Sequence, residues 1–174
     1  MTGSLPIVQF TSVLGGSRSG KSRYAEGLAQ ATGLRRRYIA TAEAGDAEMA
    51  ARIARHRQDR GDGWHLVEAP LDLPGALRTA QPGEVVLIDC ATLWLSNHLL
   101  AGHDLADRTA DLLQALVACD VPVIVVSNEV GWSIVPDNPL ARRFADAQGR
   151  LNQALAARSD RVVAVIAGLP LVLK

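Results

Sequence analysis

The run Gly15-Gly16-Ser17-Arg18-Ser19-Gly20-Lys21-Ser22 constrains this chain more than any other feature. It satisfies the pattern G-x-x-x-x-G-K-[ST] at every fixed position, and its flanks fit as well: an apolar run ends at Leu14 and a helix-compatible segment begins at Lys21. Glycines let the backbone curl until successive N–H groups point inward, and a helix start adds partial positive charge. In such a loop Lys21 reaches the β- and γ-phosphates of a nucleotide, and the Ser22 hydroxyl helps to hold Mg²⁺. A glycine-rich strand-to-helix turn without a ligand is the alternative, and the flanking elements weigh against it.

The remaining pattern agrees with a strand that feeds a helix. Apolar runs of strand length alternate with longer helical stretches, which predicts an α/β fold: a mostly parallel sheet with helices on both faces. Gln9 to Leu14 reads as the first strand, Lys21 to Ala31 as a helix closed by Gly33, and Arg37 to Thr41 as the second strand. A helix from about Asp46 to Asp59 follows, then strands at Trp64 to Glu68, Glu84 to Asp89 and Val121 to Ser127. Helices near Asp104 to Ala118 and Leu140 to Arg158 separate the later strands. Arg161 to Ala167 and Leu169 to Leu173 are joined only by Gly168, too close for a parallel crossover, so they predict an antiparallel hairpin at one edge. No repeat or linker interrupts the chain, and 1–174 is expected to form one domain.

Composition excludes several function classes. Lys plus Arg and Asp plus Glu both number 18, a balance that weighs against a nucleic-acid partner, which normally shows as a basic excess on one face. Local basic clusters occur at Arg35, Arg36 and Arg37 and at Arg52, Arg55, Arg57 and Arg60; they read either as contacts to a small anion or as solvated surface. Cys90 and Cys119 lack metal-ligand spacing and imply reduced thiols in a cytoplasmic protein. No apolar run reaches the roughly 18 residues of a membrane helix, and Met1 to Pro6 reads as a loose leader.

A metal-bound nucleotide requires a carboxylate at the end of a neighbouring strand. Asp89, closing Val85-Val86-Leu87-Ile88, meets that requirement and pairs with Ser22 as the expected Mg²⁺ set. His56 stands on the predicted helix seven residues after Met49 and three after Ile53, with Arg52 and Arg60 one turn away on either side. Guanidinium groups this near disfavour an imidazolium, favour the neutral nucleophilic ring and neutralise a phosphate that it attacks. Spacing alone also fits a surface histidine.

Further residues join these in a specific order: Tyr38-Ile39-Ala40-Thr41-Ala42; Arg52-Ile53 with His56 and Arg60, then Trp64 and Glu68; Ser127-Asn128-Glu129-Val130-Gly131 with Ile134-Val135-Pro136; and Arg142, Phe144, Gly149, Asn152 and Gln153. From Phe10 to Lys174 the chain resembles the adenosylcobinamide kinase and adenosylcobinamide-phosphate guanylyltransferase family. The resemblance implies a RecA-like P-loop fold, a homotrimer and two reactions. The first is phosphorylation of the adenosylcobinamide hydroxyl by ATP or GTP. The second is transfer of GMP from GTP to adenosylcobinamide phosphate through a GMP-histidine intermediate, whose position here is His56. It also implies nucleotide contacts at Gly15 to Ser22, at Ala40, Thr41 and Ala42, at Arg57, Gln58, Asp59 and Arg60, and at Glu68 and Asp89. Some relatives carry glutamate in place of Asp89, and proline often stands where this chain has Gly61, which predicts a looser loop before Trp64. His65, His98 and His103 match no family histidine and read as structural or exposed. Asn128, Glu129 and Trp132 stand as candidates for the corrinoid site, with an ordinary strand-end turn as the alternative. Two other functions fit the motif set: a P-loop small-molecule kinase without guanylyl transfer, and a RecA-like nucleotide-dependent binding module.

Overall fold

The computed structural model describes residues 8–174 except 44, 46, 48, 49, 52, 53, 56, 57, 59 and 60. In chain order its elements are β1 (Phe10–Gly15), α1 (Lys21–Ala31), β2 (Arg35–Ala40), β3 (Trp64–Glu68), α2 (Leu73–Arg78), β4 (Glu84–Asp89), α3 (Ala91–Leu100), α4 (Leu105–Val117), β5 (Val123–Asn128), α5 (Pro139–Arg158), β6 (Arg161–Ile166) and β7 (Leu169–Val172). Between β2 and β3, the described residues 47, 50, 51, 54, 55 and 58 are helical and exposed. The strands form one seven-stranded sheet in the order β3-β2-β4-β5-β1-β6-β7. Every pairing is parallel except β6 with β7, the expected edge hairpin. Its turn is Ala167–Gly168 with φ of 53° and 80°, the left-handed pair that a two-residue hairpin needs to match strand twist.

Both faces of the sheet are covered, which is why the central strands read as unbroken apolar runs. On one face Val13, Val85, Leu87, Val126 and Val163 pack with Ala25 and Ala29 of α1. On the other, Val86, Ile88, Val123 and Val125 pack under Trp94 and Leu95 of α3, Leu112 of α4 and Leu151 of α5. Alternate residues of β4 thus serve opposite cores.

Two helices lie where the sequence pattern shows none. In α2, Pro74 and Gly75 resemble turn residues, yet Pro74 occupies the first helical turn, where no N–H is needed. The Asp72 carboxylate caps the start by accepting from the Gly75 amide at 2.8 Å. In α3 the buried face is Ala91, Trp94, Leu95, His98 and Leu99, but a polar His98 lies on it and apolar Leu93 and Leu100 lie off it, which blurs the helical period in the sequence; the N-cap is Cys90.

The arginine cluster also differs from its sequence reading. β2 begins at Arg35, two residues earlier than expected, so the three arginines alternate across a strand. Arg36 lies over the Trp64 ring at 5.3 Å. Arg37 is 5% exposed and neither binds an anionic ligand nor faces solvent. Its Nε donates to Glu84 at 2.8 Å and its other nitrogens to Thr79, so it serves the fold. Gly61, at φ 71°, donates its N–H to the Gln58 carbonyl; a proline could do neither, so the glycine gives this connection a defined end.

Candidate functional site

The parallel strands deliver their chemistry to one edge, the carboxyl ends, as open α/β sheets do. Residues 16–20 curl out of β1, which lies between β5 and β6. Arg18 (φ 57°) and Gly20 (φ 92°) are left-handed, reversing the chain into α1. Gly20 is the N-cap of α1 and supplies no side-chain cap, so the first amides of the helix are left to an anion. The Lys21 ammonium folds back over the loop and donates to the Gly16 carbonyl at 3.0 Å. The hairpin turn braces the other side, with the Gly168 N–H on the Ser19 carbonyl at 2.8 Å.

Gly15 shows how tightly this cradle is built. A Cβ there would stand 2.6 Å from the Val165 carbonyl oxygen and 2.5 Å from Ser19 Oγ. The serine can turn away, but the β6 backbone cannot. Gly15→Ala is therefore expected to weaken nucleotide binding by at least about tenfold, the factor that corresponds to roughly 1.4 kcal/mol. Titration with a fluorescent nucleotide checks this; affinity equal to that of the unsubstituted chain would show that the loop tolerates the displacement.

Asp89 lies on β4, one strand beyond β5 from the cradle. Tyr38 donates its hydroxyl to Asp89 Oδ2 at 3.1 Å. The following peptide, Asp89–Cys90, is cis. Thr41 clamps it: its hydroxyl donates to the Cys90 carbonyl at 2.7 Å and accepts from the Cys90 amide at 2.8 Å. The Thr41 backbone is engaged as well, its N–H donating to the Asp89 carbonyl at 3.3 Å and its carbonyl accepting from Asn97 Nδ2 at 2.9 Å, so this buried residue holds the end of β4 in shape. Ala40 and Ala42 are half-buried beside it, Gln58 and Glu68 are exposed, and Ala40, Glu68 and Asp89 stand level across β2, β3 and β4. The Cys90 thiol is pushed up to about 11, by burial first and then by the Asp89 carboxylate, while the Lys21 charge opposes them. Lys21 and Asp89 therefore act on the same buried spot. His56, Arg57, Asp59 and Arg60 lie outside the described residues.

Ser22 and Asp89 offer a hydroxyl and a carboxylate, the hard oxygen donors that suit Mg²⁺. Among the described residues no group of three His, Cys, Asp or Glu side chains could hold a metal.

One part of this edge is a polar network that packing alone assembles. Thr92 of α3, Ser127 at the end of β5, and Gln148 and Asn152 of α5 are all buried. Ser127 Oγ donates to Asn152 Oδ1 at 2.7 Å, and Gln148 Nε2 donates to the same two oxygens at 2.9 Å each. The spacing of Gln148 and Asn152, one helical turn apart, is the only local signal that they share a face.

The other histidines play structural or surface parts. His98 is 3% exposed, with Nε2 3.1 Å from the Leu71 carbonyl and Nδ1 2.8 Å from His103 Nδ1. Burial holds its ring below the ordinary imidazole range.

The family described as cobinamide kinase / cobinamide phosphate guanyltransferase matches residues 11–173. The bifunctional adenosylcobalamin biosynthesis protein CobP of Pseudomonas aeruginosa is 49% identical over 167 residues, covering 93% of this chain and 95% of its own length. The protein of the same description named CobU in Escherichia coli is 40% identical over 178 residues, with coverage of 93% and 98%. Among solved structures, the chain is similar to a prototypical ATPase from the type III secretion system of pathogenic bacteria, with a TM-score of 0.58, 14% identity and coverage of 90% of this chain and 51% of that one. It is also similar to a solved ATPase domain, with a TM-score of 0.52, 14% identity and coverage of 92% and 70%. At such identities the structural likeness bears on the fold alone, which is that of RecA-like P-loop ATPases.

Proposed function

The chain belongs to the cobinamide kinase / cobinamide phosphate guanyltransferase family, and from that premise we propose how its residues divide the work. It is a bifunctional enzyme of adenosylcobalamin biosynthesis, phosphorylating adenosylcobinamide and then transferring guanylyl to the phosphate to give adenosylcobinamide-GDP. The observation that carries the assignment of residues is the cradle itself: an uncapped helix start, a folded-back Lys21, and Asp89 held by Tyr38 at the same edge.

In the guanylyl transfer, the His56 imidazole attacks the α-phosphorus of GTP, and the bond to the α–β bridging oxygen breaks with its electrons on pyrophosphate. The loop amides and Lys21 stabilise that departing charge. Adenosylcobinamide phosphate then displaces the histidine and regenerates the free ring. Mg²⁺, held through Ser22 and Asp89, neutralises phosphate charge when bound. Arg57, Gln58, Asp59, Arg60, Glu68, Ala40, Thr41 and Ala42 contact the nucleotide in this reading. The chain leaves β2 at the edge that carries the cradle, which supports a histidine helix arising on the correct side of the sheet. One domain spanning 1–174 performs both reactions, as a homotrimer in the cytoplasm and without a nucleic-acid partner. Family resemblance supports the trimer, and balanced charge supports the absence of nucleic acid.

The test is covalent labelling. Incubation with α-labelled GTP in the absence of cobinamide is expected to yield an acid-labile, alkali-stable adduct, and His56→Ala is expected to abolish it. Label retained by that variant would move the nucleophile elsewhere. No adduct in the unsubstituted chain would leave a kinase alone.

A further inference from the structure

We propose that Glu129 is a catalytic residue of the kinase step, its carboxylate receiving the proton of the cobinamide hydroxyl. The proposal rests on the family reading above and adds to it a residue outside the nucleotide set. β5 is the strand between β4, which ends in Asp89, and β1, which ends in the cradle. Asn128 stands level with Gly15, and the Glu129 N–H donates to the Gly15 carbonyl at 3.0 Å. The chain at Glu129 therefore leaves the sheet between the strand that ends in Asp89 and the strand that ends in the phosphate loop.

The Glu129 carboxylate is held more elaborately than a surface turn requires. Oε1 accepts from the Gly131 amide at 2.9 Å, and Oε2 lies 3.5 Å from Asn152 Nδ2. Asn152 is itself fixed, 5% exposed, with Nδ2 also donating to the Asn128 carbonyl at 3.0 Å and Oδ1 accepting from Ser127 and Gln148. The Asn128 amide donates to Thr92 Oγ1 at 2.7 Å. Burying polar side chains from α3, β5 and α5 is unfavourable, the more so because Gln148 Oε1 has no partner among the described residues, whereas an apolar set would close the same space more simply. What such a network does supply is a carboxylate fixed in position, as proton transfer demands.

Two further atoms mark the place. Asn128 Oδ1 and Ser19 Oγ are buried with no hydrogen-bond partner among the described residues, and both flank Gly15. Unpaired buried polar atoms at the strand ends beside the cradle are places where a bound polar ligand can supply the missing partner. An ionised carboxylate has about four acceptor sites, of which two are engaged, so the substrate hydroxyl finds capacity left. Beyond Glu129 the chain exposes Trp132, Ile134 and Val135, apolar ground on which the body of a corrinoid can lie with its hydroxyl at the carboxylate.

In the step, the hydroxyl oxygen bonds to the γ-phosphorus while its proton passes to a Glu129 oxygen. The bond from the γ-phosphorus to the β–γ bridging oxygen breaks, and its electron pair stays on the departing nucleoside diphosphate.

Glu129→Gln keeps the size and a carbonyl acceptor but cannot take the proton. With adenosylcobinamide and ATP, its kinase turnover is expected to fall about 10²–10⁴-fold, with loss of the acidic limb of the pH profile of kcat/KM. Nucleotide affinity and the yield of GMP adduct from labelled GTP are expected to stay within about twofold, since neither needs this proton transfer. Phosphorylation at the unsubstituted rate with an unchanged pH profile would overturn the proposal. So would loss of nucleotide binding and adduct in proportion to kinase activity, which would assign Glu129 to the structure of the loop. Failure of the underlying family reading looks different: the unsubstituted chain would then form neither phosphorylated cobinamide nor adduct.

Discussion

Lys21→Met is expected to slow both reactions by about 10²–10³-fold, the effect of removing one preorganised donor from a site of developing charge. Methionine nearly matches the buried stem of the lysine, so the loop should keep its packing and the loss should fall on charge. Lys21 is 9% exposed, its ammonium bonded to Gly16 across the loop and acting on Cys90 together with Asp89. A cation so enclosed acts in a medium of lower dielectric than water, where its attraction to phosphate is strong. The kinase step develops charge on the β-phosphate and the guanylyl transfer on pyrophosphate, and one lysine serves both. Steady-state kinetics for phosphorylation, and adduct formation from α-labelled GTP, should therefore fall together. A variant losing less than about tenfold in either would show that the loop amides alone carry that step.

Arg37→Met is expected to cost about 3–5 kcal/mol of stability, because it leaves the Glu84 carboxylate buried without its partner. For a chain of this size the melting temperature should drop by roughly 6–20 °C. The pair is enclosed, with side chains 6% exposed on both partners, and Glu84 Oε2 also accepts from the Gln81 amide at 2.8 Å. The double change Arg37→Met with Glu84→Gln should recover most of the loss, since a neutral amide tolerates burial better than an unpaired charge.

The same pair sets a pH dependence of known sign. Burial by itself raises the Glu84 carboxyl. The hydrogen bond from Arg37, the bond from the Gln81 amide and the charges of Arg37 and Arg35 overcome that and hold it below its ordinary value. A carboxyl lowered by folding contributes stability that is complete above the unfolded carboxyl range, near about 4.3, and is lost as pH falls through the lower folded value. In Arg37→Met only the Gln81 amide and the Arg35 charge still oppose burial, so acid should cost the variant less stability than it costs the unsubstituted chain. Thermal melts from about pH 7 down to about pH 4 should thus bring the two proteins closer together. A gap that widened on acidification would mean that Glu84 finds another cation.

What could be read from the chain was local. The cradle is a contiguous run, so its glycines, Lys21 and the following helix declare themselves, and α1 and β4 fall at their expected boundaries. Asp89 was legible for the same reason, as the acid that closes an apolar strand. The edge hairpin followed from a connection too short for any other geometry. His56 is proposed on the order of surrounding motifs alone, because one histidine among arginines has no spacing of its own to mark it.

Contacts between distant segments were not legible. Three neighbouring arginines look alike in a sequence. Pairing β2 with β4 put Arg35 level with Glu84, and the side chain of Arg37 then bonded Glu84 and was buried there. A polar His98 on the buried face of α3, with apolar Leu93 and Leu100 off it, blurred the period that would have announced it. In the sequence Glu129 was a candidate for the corrinoid site with an ordinary turn as the alternative, and its surroundings could not be read, because Thr92, Ser127 and the Gln148–Asn152 pair are far apart along the chain and become a network only when packing excludes water from them. Short-range pattern records backbone preference and the side on which each residue lies. Desolvation arises when elements close on one another, and it separates a structural ion pair from a surface charge and a fixed carboxylate from a loop.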